Sequence, residues 1–471
     1  MARSKIDRKA RTQLPPVPAP RRPPDLRVQD FEELVELYAP EAARAEAARC
    51  LHCPHAPCRE ACPLHNDIPR ALGHIEAGDV HAAAAVYRET STLPEICGRV
   101  CPQNFCQDAC VLTKMGKPID TRHLEAFAAT HSRRQGGLPR PPEAAPTGKR
   151  VAVVGAGPAG LTVAERLARK GHAVVIYEQY PEPGGLLVYG IPGYKLDREV
   201  VQAKIAWLKS LGVEFRCNTT VGADVSAETL QQAYDALFLG IGAQQSICPG
   251  LPGKELEGVY PANEFLARAS LPADLLPAAW QTPLQVGSRV HVLGAGDTAM
   301  DALRTALRLP GVETATCYYR RSEVEMPAHA EDYRHAREEG ADFVWLASPT
   351  AFLGDGEGRL RAVVYQRMEL CEPDASGRCR PVPLPGSEFT VEAQSVVLSL
   401  GYCPDCSLTE TIPGLTLGWR GTVEVLARET GETGVPGIFA AGDLVRGADL
   451  VAPAVADAWS VAEAIDAYLQ A

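Results

Sequence analysis

The sequence lacks any apolar run that could cross a membrane, since a span needs roughly 18 consecutive apolar residues and no segment approaches that length. It also lacks a dominant cluster of Lys and Arg, and its net charge is -11. Nucleic-acid binding depends on such clusters, so these two features argue against a nucleic-acid partner. The basic N-terminus MARSKIDRKAR has no apolar stretch behind it, so no signal peptide is predicted and we expect a cytoplasmic protein.

Cysteine is abundant, with 15 residues in a chain of 471. Cytoplasmic thiols stay reduced, so this number points to metal or redox chemistry rather than to disulfides. Eight of the cysteines lie between Cys50 and Cys110. The length predicts about three domains, and a composition of 46% hydrophobic and 22% charged residues is typical of a globular protein.

Residues 1–148 are predicted to form a small helical domain around the clustered cysteines. Residues 11–30 are rich in Pro and Arg, which predicts an extended, solvated arm. From Phe31 to about Ala48 the apolar residues recur at helical spacing. A Pro- and Gly-rich stretch at 136–148 is predicted to be a linker.

A repeated plan follows the linker. Residues 151–179 and 290–321 each predict an apolar strand, a Gly-rich turn, a helix and a second strand, and apolar strands at 235–243 and 395–402 close the two units. The segment IFAAGDLVRG at 438–447 does not fit the second unit, so we expect it to return to the first. The predicted fold class is therefore α/β, with an N-terminal α-helical domain followed by two Rossmann-like nucleotide-binding domains in a glutathione-reductase-like arrangement. The first would comprise 149–259 and 403–471, and the second would be inserted at 260–402.

The eight clustered cysteines have the spacing of iron-sulfur ligands. They form the groups Cys50-x2-Cys53-x4-Cys58-x3-Cys62-Pro63 and Cys97-x3-Cys101-Pro102-x3-Cys106-x3-Cys110. Such spacings let thiolates converge on a 4Fe-4S cube, and the last cysteine of one run often serves the other cluster. We predict one 4Fe-4S cluster on Cys50, Cys53, Cys58 and Cys110, and a second on Cys62, Cys97, Cys101 and Cys106. Structural zinc is the alternative, but it favours paired C-x2-C knuckles, and this region has one such pair.

The first Gly-rich turn predicts an FAD site. Its glycines allow a pyrophosphate to approach the N-terminus of the following helix, and Glu178 at the end of the next strand can accept from ribose hydroxyls. The distant Gly442-Asp443 can hold the ribityl or phosphate region. The predicted FAD residues are Gly155, Ala156, Gly157, Pro158, Ala159, Gly160, Glu178, Gln179, Gly185, Leu186, Gly442 and Asp443.

The second Gly-rich turn predicts a site for NADPH rather than NADH. Where the first unit carries Glu178, the second carries Arg320 and Arg321, and a guanidinium pair suits the 2′-phosphate of NADP. The predicted NADPH residues are Gly294, Ala295, Gly296, Asp297, Thr298, Arg320 and Arg321. The pair Cys403 and Cys406 has the C-x-x-C spacing of a dithiol, which keeps a disulfide reductase open as an alternative.

With these motifs, nearly the whole chain resembles the small (beta) subunits of bacterial NADPH-dependent glutamate synthase. This wider family includes the NADPH-binding arm of dihydropyrimidine dehydrogenase and NADPH-linked ferredoxin oxidoreductase subunits. The segments that carry the resemblance are LPEICGRVCPQ (93–103), GGLLVYGIPGYKLDREVV (184–201), GAGDTAMDALRTALR (294–308), YRRSEVEMPA (319–328), REEGADF (337–343) and AAGDLVRGADLV (440–451). One departure is the four residues between Cys101 and Cys106, where the family pattern has five.

The resemblance implies an electron-transfer role. A flavin accepts a hydride from NADPH and releases the electrons singly to iron-sulfur clusters, so no side-chain acid or nucleophile is required. The resemblance to glutamate synthase also implies a partner, a large (alpha) subunit that uses these electrons to form glutamate from glutamine and 2-oxoglutarate. The alternatives are a ferredoxin oxidoreductase or dihydropyrimidine dehydrogenase type of electron-input subunit, the disulfide reductase, and a non-catalytic cluster or zinc scaffold.

Overall fold

A computed structural model describes residues 6–142, 144–373 and 379–471. The predictions made for residues 1–5, and for residue 143 of the linker, lie outside these residues. Within the described ranges, no helix is both long and apolar enough to cross a membrane.

The N-terminal domain is helical, as the sequence predicts. Asp67 and Asp79 cap two of its helices by accepting from backbone N–H groups. Its helices are α1 (Arg8–Arg11), α2 (Pro24–Arg27), α3 (Pro40–Ala47), α4 (Pro57–Glu60), α5 (Ile68–Glu76), α6 (Val80–Arg88), α7 (Pro94–Val100) and α8 (Thr121–Gly136), with a 3-10 turn at Val111–Met115.

The predicted helix from Phe31 to Ala48 is only partly present. Helix α3 begins at Pro40, and the residues before it run extended. Proline disfavours helical geometry in the residue that precedes it, which explains the late start. The apolar residues of the extended part are used for docking instead: Val35 bridges to Arg21, and Leu34 donates its backbone N–H to the carbonyl of Tyr194.

The first nucleotide-binding unit is built on a parallel sheet of five strands. Its strand order is β15-β4-β1-β2-β3, so the strand of the 438–447 segment returns to this unit and pairs with β4, as the sequence predicts. The elements are β1 (Arg150–Val154), α9 (Pro158–Ala168), β2 (Ala173–Tyr177), α10 (Leu186–Tyr189), α11 (Arg198–Ser210), β3 (Glu214–Arg216), α12 (Ala227–Ala233), β4 (Ala236–Leu239), β15 (Ile438–Ala440), α17 (Asp443–Arg446) and α18 (Val451–Gln470).

The second unit repeats this plan with the strand order β6-β13-β7-β8-β9. A short antiparallel pair, β5 and β14, connects the two units where the chain passes between them. The elements are β5 (Gln245–Ser246), β6 (Val259–Pro261), α13 (Ala262–Ser270), β7 (Arg289–Leu293), α14 (Asp297–Ala306), β8 (Thr314–Tyr319), α15 (Ala330–Glu338), β9 (Asp342–Trp345), β13 (Ser395–Leu398) and β14 (Tyr402–Cys403). The helix that follows, α16 (Cys406–Thr409), packs on the core of the first unit through Leu408.

Sequence reasoning missed a third sheet, which lies within the second unit. Three antiparallel strands, β10 (Ala347–Gly354), β11 (Leu360–Pro373) and β12 (Cys379–Glu392), pair in the order β10-β11-β12. They pack on the second unit through Tyr365, which stacks on Tyr318 at 3.9 Å between ring centroids. Charged and apolar residues alternate along much of these strands. They therefore lack the continuous apolar run by which a buried parallel strand is recognised in a sequence.

The Pro- and Arg-rich arm is extended over much of its length and most of its residues are exposed or partly exposed, as the sequence predicts, but Ala19 and Arg27 are buried. Arg27 is buried, with 2% of its side chain exposed, and its guanidinium donates to Glu339 at 2.7 Å and to Glu338 at 2.8 Å. Glu339 also accepts from Arg304 and Arg308. The charged residues therefore dock the arm onto the second nucleotide-binding unit.

This cluster of charges also involves the first unit. The guanidinium carbons of Arg304 and Arg308 lie 4.3 and 4.1 Å from the ring centre of Tyr194. The Tyr194 hydroxyl donates to the carbonyl of Asp301 at 3.0 Å. Three separate stretches of chain thus meet around one carboxylate, that of Glu339.

We expect Arg27→Met to destabilise the docked arm, because removing one partner from a buried ion pair costs about 3–5 kcal/mol. Arg22→Met is the matched control: Arg22 lies in the same arm but pairs with the partly exposed Asp30, and such pairs contribute about 0–1 kcal/mol. Cleavage of the arm by a protease, measured against urea concentration, should accelerate in the first variant only. Equal cleavage of both variants would show that the Glu339 contacts do not hold the arm.

The same cluster predicts a pH dependence. Burial opposes ionisation of Glu339, but Arg304 and Arg308 outweigh it and lower its pKa from 4.5 to about 2. Because the folded pKa is below the unfolded value, this contribution to stability is complete above pH 4.5 and is lost as the pH falls toward 2. Unfolding of wild type should therefore become easier across that acidic range, and Glu339→Gln should flatten the dependence.

Candidate functional site

A large cleft lies between the helical domain and the two nucleotide-binding units, with a volume of about 680 Å³. Residues 33–37 of the extended segment and residues 102–104 of the cysteine domain line its wall. Among the predicted site residues, it is lined by Gly155, Gly157, Pro158, Ala159, Glu178, Gln179, Gly185, Leu186, Asp297 and Asp443. The remaining predicted nucleotide residues do not line it.

The first Gly-rich turn has the close packing that a dinucleotide site requires. A Cβ atom on Gly160 would lie 1.9 Å from the carbonyl oxygen of Gly155, so only glycine allows helix α9 to approach strand β1. Beside Gly157, by contrast, a Cβ would meet no atom within 4 Å. The turn therefore leaves open space at the N-terminus of α9, where a pyrophosphate fits.

Glu178 follows strand β2 directly and is buried. Its carboxylate accepts from the backbone N–H of Ala156 at 2.8 Å and of Tyr180 at 3.0 Å. Burial raises its pKa, while these N–H donors oppose the rise. The carboxylate is thus held at the edge of the cleft in a fixed orientation, which suits the recognition of ribose hydroxyls.

The structure brings Gly442-Asp443 close to Ala159 of the first Gly-rich turn, although these residues lie far apart in the sequence. A Cβ on Gly442 would lie 3.1 Å from the Cβ of Ala159. Burial raises the pKa of Asp443 to about 7. A buried carboxyl without a cationic partner in contact can donate a hydrogen bond, so it suits a polar group of a bound cofactor.

The second Gly-rich turn has the same construction as the first. A Cβ on Gly294 would lie 2.2 Å from the carbonyl oxygen of Ser399, and its φ is +114°. Arg320 follows strand β8 directly, as Glu178 follows β2, so the two residues occupy equivalent positions in the two units. Arg320 is exposed, and the buried Nε of Arg321 has no hydrogen-bond partner among the described residues. Both side chains thus retain donors for an anion.

The first cysteine set lies around a small apolar cavity. Cys50, Cys53, Cys58 and Cys110 line it, although Cys110 is far from the other three in sequence. Burial and the neighbouring thiols raise the pKa of Cys50 to about 11 and that of Cys58 to about 12. Four sulfurs that converge on an apolar cavity, with no cationic side chain among the residues that line it, suit the binding of a metal cluster.

The second set has five donors rather than four. The carboxylate of Glu125 lies near enough to Cys62, Cys101 and Cys106 to raise the pKa of each thiol. Burial raises the pKa of Glu125 itself to about 8. Cys97 is also buried, and it lies close enough to Cys101 to raise the pKa of that thiol. A 4Fe-4S cluster is held by four protein ligands. Glu125 therefore competes with Cys97 as the fourth ligand, and the sequence prediction did not include it.

The geometry does not suit zinc. In a tetrahedral zinc site with Zn–S bonds of about 2.3 Å, the sulfurs are about 3.8 Å apart. In the described part of the chain, no three cysteine sulfurs all lie within 4.8 Å of one another. A group larger than a single ion is required to reach them.

Two further features lie outside the two cysteine sets and the nucleotide turns: three residues with positive φ, which the sequence does not predict, and the Cys403 and Cys406 pair. His52, Ala56 and His65 have positive φ values of 46°, 36° and 51°, and these residues turn the backbone around the cysteines. The Cys403 and Cys406 pair lies at the β5–β14 connection, outside the lining of the cleft. Burial and nearby acidic groups raise the pKa of Cys406, which makes its thiol less reactive.

We expect Glu125→Ala to reduce the iron content from about eight to about four atoms per chain, because it removes the carboxylate that faces three thiolates. Cys97→Ser should retain about eight, since Glu125 and the other three cysteines still supply four ligands to the second cluster. Iron analysis and low-temperature EPR of the reduced proteins measure both. The opposite result would support the ligand set predicted from sequence.

Comparison with known proteins gives the class. Residues 27–137 match the family described as dihydropyrimidine dehydrogenase domain II, 4Fe-4S cluster, and residues 149–458 match the pyridine nucleotide-disulphide oxidoreductase family. The fold of Mycobacterium tuberculosis FprA in complex with NADPH is similar, with a TM-score of 0.56 at 21% identity over 70% of this chain and 85% of that one. The chain is thus a pyridine nucleotide oxidoreductase with an iron-sulfur domain.

The chain belongs to the family of glutamate synthase small chains. It is 39% identical to the NADPH glutamate synthase small chain of Halomonas elongata, over 95% of each chain. The corresponding Escherichia coli protein is 38% identical over 96% of this chain and 97% of its own length. The beta subunit of an NADP-dependent formate dehydrogenase from Moorella thermoacetica is 37% identical over 91% of this chain and 62% of that subunit. Membership confirms the predicted fold class, the NADPH-dependent oxidoreductase activity, and the cofactor set of FAD, NADPH and 4Fe-4S clusters.

Proposed function

We propose that this chain is the NADPH-oxidising subunit of a glutamate synthase, and that it supplies electrons to a large subunit that forms L-glutamate from L-glutamine and 2-oxoglutarate. The observation that carries the proposal is the position of the second cysteine set. The segment between Cys101 and Cys106 forms part of the wall of the nucleotide cleft. Electron transfer requires short distances between redox groups. Because this segment lines the cleft, the cysteine domain is placed to receive electrons from a flavin bound there.

The first Gly-rich turn would hold FAD, and the second, with Arg320 and Arg321, would hold NADPH. When bound, the flavin accepts a hydride and passes its electrons on singly. The chain itself binds and orients the cofactors: Glu178 is fixed by two backbone N–H groups for the ribose, and Asp443 lines the same cleft. No nucleophile is required, so the weakly reactive Cys406 favours this function over a disulfide reductase.

The cysteine sets are arranged in sequence from the cleft outward. Residues 102–104, which lie between two cysteines of the second set, line the wall of the cleft. Cys106 of the second set lies near enough to Cys58 of the first set to raise its pKa. Val111 lines the cavity of the first set, and Val111 and Met115, which lie on the same 3-10 turn, are 42% and 48% exposed. Exposed apolar side chains beside a redox centre suit contact with another protein. We infer that the acceptor binds there, and that the complex is cytoplasmic.

The acceptor identity separates this proposal from its alternative. A ferredoxin oxidoreductase subunit would have the same cleft and the same cysteine sets, and the formate dehydrogenase beta subunit shows that the design occurs beside other partners. The two high-coverage matches to glutamate synthase small chains favour the first choice.

Capture of partners from native extract under anaerobic conditions tests the proposal. A large chain should bind, and the complex should convert 2-oxoglutarate and glutamine to glutamate with NADPH. This chain alone should reduce dyes but form no glutamate. Recovery of a ferredoxin or another redox protein without any glutamate formation would contradict the glutamate synthase assignment while leaving the NADPH oxidation intact.

Replacing Arg320 and Arg321 together by Ala should raise the KM for NADPH at least tenfold, because bidentate guanidinium contacts to the 2′-phosphate are lost. The KM for NADH should change little, since NADH lacks that phosphate. Steady-state dye reduction with each nucleotide measures the difference. Arg428→Ala, at an exposed position outside the cleft lining, is the control, and an equal loss for both nucleotides would contradict the assigned role.

A further inference from the structure

Two helices of the second unit begin at the cleft and meet there. Helix α14 begins at Asp297, directly after Gly296, and helix α15 begins at Ala330, directly after His329. Asp297, His329 and Ala330 all line the cleft. The N-terminal ends of two helices, of ten and nine residues, therefore face one region of it, and helix N-termini favour anions.

The first helical residue of α14 works against such a site. Asp297 places a carboxylate at the turn where the pyrophosphate of the nucleotide would lie, and two negative groups a few ångströms apart repel each other. In the structure, both oxygens of this carboxylate accept hydrogen bonds from His329. The backbone N–H of His329 donates to its Oδ1 at 2.8 Å, and Nδ1 of the imidazole donates to its Oδ2 at 2.7 Å.

The other ring nitrogen of His329 is available. With Nδ1 donating to Asp297, only Nε2 remains, and no hydrogen bond joins it to any residue that the structure describes. The side chain is 24% exposed and belongs to the wall of the cleft. Nε2 can therefore donate to a group bound in the cleft.

The charges around His329 favour its protonated form. Its hydrogen bond to Asp297 and the charges of Asp297 and Asp332 raise its pKa above 6.5, whereas burial and Lys195 lower it. Asp297, His329 and Asp332 have donor atoms within 4.8 Å of one another, yet the ammonium of Lys195 already lies 2.8 Å from Asp332 and 2.7 Å from Asp301. These acids are thus compensated by side-chain cations rather than by a metal ion.

The neighbouring acidic residue of α15 is compensated as well. Glu331 pairs with Arg21 at 2.6 Å and with Arg122, and both arginines belong to the helical domain. After these pairings, Asp297 is the acid whose only described ionic partner is His329.

We propose that His329, as an imidazolium, is a nucleotide-positioning residue that compensates Asp297 through Nδ1 and donates through Nε2 to the pyrophosphate of the bound nucleotide. The inference rests on the proposed placement of NADPH at the second Gly-rich turn. It differs from the role of Arg320 and Arg321 because the pyrophosphate is common to NADPH and NADH, whereas the 2′-phosphate is not.

Binding of NADP+ and of NAD+ to the purified oxidised protein, measured by calorimetry at pH 7 and pH 9, tests the proposal without turnover. In His329→Gln at pH 7, the Kd should rise about tenfold for both nucleotides, as expected for the loss of one charged hydrogen bond. In wild type, both Kd values should rise from pH 7 to pH 9, because affinity is lost as the imidazolium deprotonates. The variant should lose this pH dependence. His131→Gln, a histidine of α8 that bonds Phe127, is the control.

A double-mutant cycle gives a second measurement. Asp297→Asn should weaken the effect of His329→Gln, since the imidazolium then has no carboxylate to compensate, and the two changes should be clearly non-additive. Unchanged Kd values in His329→Gln, or a change for NADP+ alone, would overturn the proposal. If wild type binds neither nucleotide, the proposed NADPH site itself fails, which is a separate outcome.

Discussion

Glu339 imposes the constraint on which the arrangement of the whole molecule depends, because its buried carboxylate requires three arginines from two distant parts of the chain. Arg304 and Arg308 come from the second nucleotide-binding unit, and Arg27 comes from the N-terminal arm. Arg304 and Arg308 pair with Glu339 within the second unit, whereas Arg27 reaches its partners Glu338 and Glu339 only when the arm is docked. Since an unpaired buried charge is costly, the cluster favours a single arrangement of arm and unit over partly docked ones.

The docking contacts also shape the cleft. Tyr194 of the first unit lies against two of the same arginines, and Lys195 bridges to Asp301 and Asp332 of the second. The two nucleotide-binding units and the cysteine domain are therefore held around one space. A redox protein of this kind needs such rigidity, because electron transfer depends on the distance between groups that sit in different domains.

The cysteine domain shows how a metal site can be divided between local and distant residues. Three predicted ligands of the first set lie within nine residues of sequence, from Cys50 to Cys58, whereas Cys110 joins them from the end of the second group. Beside the second set lies a buried carboxylate, that of Glu125, from the second turn of helix α8. A site built in this way forms only when the helices have packed, so the domain and its donors depend on each other.

The sequence predicted well where the determining contacts are local. The Gly-rich turns, the strands that flank them and the spacing of the cysteines are set by neighbours along the chain, and glycine at 160 or 294 is required by atoms of its own turn or of the adjoining strand. The return of the 438–447 segment to the first unit was also predictable, since the segment does not fit the plan of the second unit. The helix proposed from Phe31 failed because Pro40 and the contacts of Leu34 with Tyr194 outweigh a helical spacing of apolar residues.

By itself, then, the sequence determined the class of chemistry: two nucleotide turns, a preference for NADPH, and thiolate clusters. Tertiary structure alone decided which groups act together. Arg27 of the Pro- and Arg-rich arm is buried because Glu339 is present to receive its guanidinium, while most of the arm stays exposed or partly exposed. Likewise, Glu125 and His329 look like ordinary helix residues until packing places one beside three thiols and the other beside Asp297. Charge and burial at such sites come from residues far apart in sequence, which no local pattern records.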